Sequence, residues 1–294
     1  MNNIEYFIAR LFASRQKRRR LRYERYLPRI ALHGSELPPL KKRKIDVAFC
    51  FDKNYAKLAA VAIMSLLDVS KNRCDYRIHC VVDEGVGKLE KDRLEKIARD
   101  SGSEIAFLNA NEDFDKSLRG NWSKGIWYRL MLPKLLPDLD RIIYADVDTA
   151  FCNDLVEADM IDLGGNLIAA ANDGKPGSIN SGFLIMNLKL MRRENIYKKW
   201  ISLSRANEYM YPDQDLLNET CKDRILHLPL KYNFCLWRRP NTAPYSEQEL
   251  SDLRFHCVMM HWLGAGPKPW KHYDDSRYVP FADIWRYYAD KTGF

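Results

Sequence analysis

Short apolar runs alternate with amphipathic stretches along most of this chain. Ile45–Phe51, Tyr76–Val82, Glu104–Leu108 and Ile142–Ala145 read as strands, with helical patterns between them at Tyr55–Leu67, Gly87–Asp100 and Lys124–Leu136. Leu167–Ala171, Gly182–Asn187 and Cys257–His261 continue the strand signals, and Glu194–Tyr209 and Asp213–Cys221 the helical ones. Alternation of this length predicts an α/β fold: a single domain on a doubly wound, mostly parallel sheet, its ligand at the carboxyl ends of the strands. The catalytic body is placed at 45–270, behind a basic amphipathic extension and linker at 1–44 and ahead of an aromatic C-terminal helix or tail at 271–294.

The extension has its own pattern. Ile4, Phe7, Ile8, Leu11 and Phe12 fall on one helical face, and Arg15-Gln-Lys-Arg-Arg-Arg-Leu-Arg follows directly. An apolar stripe beside a basic and aromatic run suits a helix lying in an anionic membrane surface, through residues 1–30. Two other readings stay open: an arm packed on the protein's own body, and contact with RNA or another protein.

Charge sharpens this division. The 294 residues carry a net +8, yet residues 1–44 hold 13 basic and 3 acidic side chains, leaving 34 basic against 36 acidic in the remainder. A nearly neutral body speaks against a nucleic-acid channel. The seven cysteines are scattered and form no Cys-x-x-Cys pair, and Cys50, Cys80 and Cys257 sit in apolar runs, which fits a reducing cytosol. No stretch approaches the roughly 18–20 apolar residues of a membrane span, and the start does not read as a signal peptide. The expected location is cytoplasmic, peripheral at the inner face of the cell membrane.

Candidate chemistry lies at element ends. The run Ile142–Ala145 delivers Asp146-Val147-Asp148, whose spacing can aim two hard oxygen ligands at one divalent cation. Alone, Asp-x-Asp is a spelling that many turns carry. Asp52, Asn54 and Tyr55, at a strand-to-helix turn, suit a base edge, a ribose and a ring face, or simply cap the helix. Asn180-Ser181-Gly182 precedes an apolar strand, and Pro212-Asp213-Gln214-Asp215 opens a helix. His261-Trp-Leu-Gly264-Ala-Gly266-Pro-Lys268-Pro-Trp270 joins a metal-type imidazole to a glycine-rich turn and a cation suited to a diphosphate.

In this order, from about Ile45 to Trp270, the segments resemble the family 8 retaining glycosyltransferases, which include bacterial lipooligosaccharide galactosyl- and glucosyltransferases and glycogenin. The resemblance implies a GT-A fold and transfer of galactose or glucose from a UDP-sugar, with Mn²⁺ (or Mg²⁺), to a saccharide such as a lipid-linked lipopolysaccharide core. It implies Asp146, Asp148 and His261 as metal ligands, with Val147 between the two acids. Asp52, Asn54 and Tyr55 then contact uridine, Arg129 binds the donor, Asn180 and Ser181 lie beside the sugar, and Gly264 or Gly266 with Lys268 clamps the diphosphate. Asp213 and Gln214 match the pair at the donor sugar. Gln214, Asp213 and Asp215 are the catalytic candidates, Gln214 on the back face of the sugar. Two departures stand out: one extra residue between His261 and Lys268, and Ile179 where the family usually has Phe. A phosphatase reading of Asp146-Val-Asp148-Thr149 fails because Ala150 holds the position that needs Thr or Val. A glycogenin-like or protein-directed glucosyltransferase, and an inactive UDP-sugar-binding protein docked on a membrane, remain as alternatives. Oligomeric state is unknown from sequence.

Overall fold

The structure is a computed structural model that describes residues 42–110, 114, 123–173, 177–236, 248, 253, 256–264, 268–271, 279 and 281–294. The arm at 1–41 and Gly266 lie outside the described residues.

A seven-stranded sheet forms the centre. Its strands are β1 (Arg43–Phe51), β2 (Cys74–Val82), β3 (Glu104–Asn109), β4 (Ile142–Ala145), β6 (Ile168–Asn172), β7 (Ile179–Met186) and β8 (Ile225–Leu228), in the spatial order β3-β2-β1-β4-β7-β6-β8. It is mostly parallel, as expected, but β7 runs antiparallel to both β4 and β6. Every residue of β4 and of β7 is buried. This explains why those runs are continuously apolar rather than alternating.

Helix α1 (Ala56–Ser70) packs its small residues Ala59, Ala60 and Ala62 into the core on one face of the sheet, and α2 (Lys88–Asp100) adds Leu94, Ile97 and Ala98 there. The other face is covered by residues 124–136 and by α5 (Leu188–Arg193), α6 (Ile196–Ala206) and α7 (Pro212–Cys221). Single-turn helices α3 (Leu132–Leu135) and α4 (Val156–Asp159) complete the connections.

A small second sheet, absent from the sequence reading, joins β5 (Thr149–Phe151), β10 (Met259–His261) and β9 (Phe234–Cys235) in that order. Behind it, α8 (Ala282–Thr292) buries Trp285 and Tyr288, and Trp270 packs on Trp285 with ring centroids 5.7 Å apart. The aromatic end of the chain thus belongs to the core of the body.

Three local expectations change. Lys124–Leu136 is not one α-helix: Lys124–Met131 is a 3-10 helix and only Leu132–Leu135 is α-helical. Five of the six residues 126–131 are buried, so no exposed stripe imposes a 3.6 period. Pro133 also has no N–H to offer the carbonyl of Arg129. Glu194–Tyr209 is interrupted at its start by Asn195, whose φ of 53° separates α5 from α6, and α6 stops at Ala206. Asn180 and Ser181 lie inside β7 rather than in a turn before it.

Candidate active site

Sheet geometry explains how residues from distant parts of the sequence meet. Strand β4 ends at Ala145 in the middle of the large sheet, and within Asp146-Val147-Asp148 the chain crosses into the small one at β5. The Asp146 N–H donates to Gly182 O of β7 at 2.8 Å. Strand β10 pairs antiparallel with β5, placing His261 opposite Thr149, and the Trp262 N–H donates to Asp148 O at 3.1 Å. A histidine 113 residues after Asp148 therefore reaches it by register: Nε2 lies 3.0 Å from Asp148 Oδ1 and 3.6 Å from Asp146 Oδ2. One ligand atom from each of Asp146, Asp148 and His261 falls within a 4.8 Å cluster. Two carboxylates and one imidazole suit a hard or borderline divalent cation such as Mn²⁺. Val147, between the acids, packs its side chain into the core.

The imidazole needs room that only glycine provides. A Cβ on Gly182 would stand 2.3 Å from His261 Cε1 and 2.5 Å from Nδ1. His261 Nδ1 lies 3.0 Å from Oδ1 of the fully buried Asn233. Burial alone would depress the histidine, but the charge and hydrogen bond of Asp148 outweigh it and raise His261 to about 10. Burial likewise pushes Asp148 upward, and His261 and Lys268 overcome that and hold its carboxyl far below the ordinary range. Lys268 Nζ is 3.4 Å from Asp148 Oδ2 and also meets the Trp262 carbonyl. Desolvation holds this lysine below its usual value. Gly264 has φ +60°, a left-handed conformation that glycine adopts at little steric cost.

A second, buried network adjoins the first. Arg129 reaches Asp146 Oδ1 at 2.7 Å and Asp213 Oδ2 at 3.1 Å, donates to Ser181 O at 2.8 Å, and lies 4.5 Å from the ring centre of Tyr144. The Tyr144 hydroxyl donates to Asp146 Oδ1 at 2.5 Å. Burial raises Asp213 despite Arg129 beside it. Ser181 Oγ donates to Asp213 Oδ2 at 2.8 Å, and Asn180 Nδ2 to Gln214 Oε1 at 2.9 Å. Asn218, one turn after Gln214, exchanges hydrogen bonds of 2.9 and 3.1 Å with the backbone of Ile179 and so docks α7 against the start of β7. Asp215 faces its own helix: its Oδ2 accepts the Tyr211 N–H at 2.8 Å, a cap rather than a member of the cluster.

Asp52, Asn54 and Tyr55 lie where β1 ends. Asp52 Oδ1 accepts the Asn54 N–H at 2.8 Å, and the Ser123 hydroxyl holds Oδ2. Tyr55 is raised by partial burial and by the charges of Asp148, Asp52 and Asp146. Asn233, Tyr144 and Ser123 escaped the sequence reading. Tyr144 sits inside an apolar run and reads as core, Ser123 as an ordinary cap, and nothing in Lys231-Tyr-Asn-Phe-Cys235 sets Asn233 apart.

The mostly parallel α/β sheet, with its helices on both faces, is the GT-A fold. The chain belongs to glycosyl transferase family 8, whose profile matches residues 46–274. It is 27% identical over 250 residues to the lipopolysaccharide 1,2-glucosyltransferase of Escherichia coli (strain K12), covering 77% of this chain and 72% of that protein. It is 25% identical over 254 residues to the lipopolysaccharide 1,3-galactosyltransferase of Salmonella typhimurium (strain LT2), covering 77% and 73%. The crystal structure of the galactosyltransferase LgtC with donor and acceptor sugar analogs superposes with a TM-score of 0.68 at 24% identity, covering 84% of this chain and 96% of that one, and shows the shared fold. Among the described residues no helix is long and apolar enough to cross a membrane.

Proposed function

We propose that this chain transfers galactose or glucose from a UDP-sugar to a saccharide acceptor, a lipid-linked cell-surface glycan of the lipopolysaccharide-core type, with retention at the anomeric carbon. The observation that carries this is the convergence of one ligand atom each from Asp146, Asp148 and His261 within 4.8 Å, from two distant points of the chain. The lipopolysaccharide transferases among its relatives support the acceptor class.

Asp146, Asp148 and His261 would hold Mn²⁺, with Mg²⁺ as the substitute. When bound, it supplies a Lewis acid at the diphosphate of the leaving UDP. Lys268 adds a fixed positive charge beside those oxygens, stabilising negative charge as it grows in the transition state. Asp52, Asn54 and Tyr55 would hold the uridine, and Gly264 would let the diphosphate approach the backbone. Arg129, itself fixed by Asp213 and Asp146, holds the edge of the donor pocket, with Asn180 and Ser181 beside the sugar.

The oxygen of Gln214 already accepts the Asn180 amide, and an amide is a weak nucleophile, so a covalent sugar on Gln214 is disfavoured. Asp215 is engaged at its own helix start. These contacts support attack from the same face. The acceptor O–H adds to the anomeric carbon as the sugar–phosphate bond breaks onto UDP, and the departing phosphate oxygen takes the proton. Gln214 would then face the positive charge on the sugar from behind. The basic arm at 1–30 would bring the enzyme to an anionic membrane surface where such an acceptor lies.

The test is a panel of UDP-sugars with Mn²⁺ and a truncated lipid-linked glycan, read by mass spectrometry. One added hexose, with retained configuration, is the expected product. UDP-hexoses left unconsumed with every acceptor would exclude the proposal.

A further inference from the structure

Asn233 lies outside every motif above, yet its side chain is fully buried between the cation-type site and the sugar-type site. Its two ends are distinguishable by a chain of donors that starts at the backbone. The Gly182 N–H can only donate, and it meets Asn180 Oδ1 at 2.9 Å. Asn180 thus presents its oxygen on that side, and its Nδ2 points the other way, to Gln214 Oε1 at 2.9 Å. The same Asn180 oxygen is 2.7 Å from Asn233, so Asn233 turns its Nδ2 there and donates. Its oxygen must then face His261, 3.0 Å from Nδ1. An amide oxygen accepts and cannot donate, so Nδ1 carries the proton. Once the proton that Nε2 shares with Asp148 is lost, the ring's lone pair lies on Nε2, the nitrogen 3.0 Å from Asp148 and 3.6 Å from Asp146.

We propose that Asn233 is a positioning residue that fixes the tautomer and tilt of His261, so that Nε2 is presented to a divalent cation. Through Asn180 it also ties that ring to the orientation of Gln214. The proposal rests on the reading of Asp146, Asp148 and His261 as the cation site. Partners that orient a metal-binding histidine through its second nitrogen are worth about 10–100-fold in metal affinity.

The test is Mn²⁺ affinity without substrate, read from the free-ion signal by electron paramagnetic resonance, in the full-length wild type, Asn233→Ala and Asn233→Asp. Circular dichroism checks each fold. Alanine removes the acceptor and lowers affinity about 10–100-fold. Aspartate keeps an acceptor at Nδ1 and binds Mn²⁺ at least as tightly as wild type. Its loss appears elsewhere, in kcat, because an ionised carboxylate cannot donate to Asn180. A packing role predicts the reverse order, since a buried charge disrupts a core more than a small void does. Alanine binding like wild type, or aspartate binding as poorly as alanine, overturns the proposal. Should the alanine variant not fold, the Asn233→Asp affinity decides alone: a loss of tenfold or more overturns it. A wild-type protein that binds no Mn²⁺ overturns both this inference and the cation site. Wild-type binding with unaltered variants overturns the inference only.

Discussion

Gly182→Ala tests whether His261 is seated as described. The added Cβ would lie 2.3 Å from Cε1 and 2.5 Å from Nδ1 of the ring and 2.9 Å from Asn180 Oδ1, whereas real Cβ atoms essentially never approach within 3.0 Å. The ring must therefore recede by 0.7 Å or more, or β7 must move. Neither is easy, because His261 is 2% exposed and every residue of β7 is buried. Overpacking of this kind costs about 1–3 kcal/mol. At roughly 2–4 °C per kcal/mol in a protein of this size, the melting temperature falls by about 2–12 °C. The functional loss is larger than the stability loss. Binding constellations tolerate about 0.5 Å of displacement, and about 1 Å can cost 10²-fold in rate. Calorimetric melting, Mn²⁺ affinity and UDP-hexose turnover are to be measured well below the variant's melting point, so that unfolding does not mimic loss of a ligand. A variant with wild-type melting, cation affinity and turnover would refute the seating of His261 against Gly182.

Arg129 is the counter-charge for two buried carboxylates. Arg129→Met strands Asp146 and Asp213, and the expected loss is about 3–5 kcal/mol, seen as a large drop in the urea midpoint; an unchanged midpoint contradicts the network. Arg129→Lys keeps the charge but cannot span Asp146, Asp213 and the Ser181 carbonyl, so it recovers less than half of that loss. At the opposite end of β1, Asp46 is held below its ordinary 3.8: partial burial raises it, but hydrogen bonds from His79 and Arg77 prevail. A depressed acid contributes stability above its unfolded pKa and loses it as pH falls through the folded value. Asp46→Asn should therefore destabilise at pH 7 by up to about 1 kcal/mol, given its partly exposed partners, and the gap to wild type should narrow as pH falls below 3.8. A gap that stays constant as pH falls through the acid range argues that the cost is steric.

Much of the body was legible because burial on both faces writes long apolar runs. The β4 run ends in Asp146-Val147-Asp148, and the small residues Ala59, Ala60 and Ala62 of α1 are buried in the core. The small sheet was not legible: β5 has three residues and β9 two, too few for any period to show. That sheet nonetheless sets the pairing of His261 opposite Thr149, so the meeting of His261 with Asp148 is a fact of long-range register, not of local pattern. The antiparallel course of β7 was hidden for a related reason. A strand buried on both faces carries no mark of its direction, and only the structure shows Gly182 O accepting the Asp146 N–H. Asn233 was invisible because a single buried amide has no spacing to announce it. Asp215 shows the converse: adjacency to Gln214 made it a candidate, but the helix turns its carboxylate to the Tyr211 N–H.

As proposed, Asp146, Asp148 and His261 form a cation site serving a uridine diphosphate group. Isothermal titration of UDP into the full-length protein, with and without Mn²⁺, tests it most directly. Mn²⁺ is expected to tighten UDP binding by tenfold or more in the wild type and to have no effect in Asp148→Ala. UDP affinity indifferent to Mn²⁺ in the wild type would contradict it.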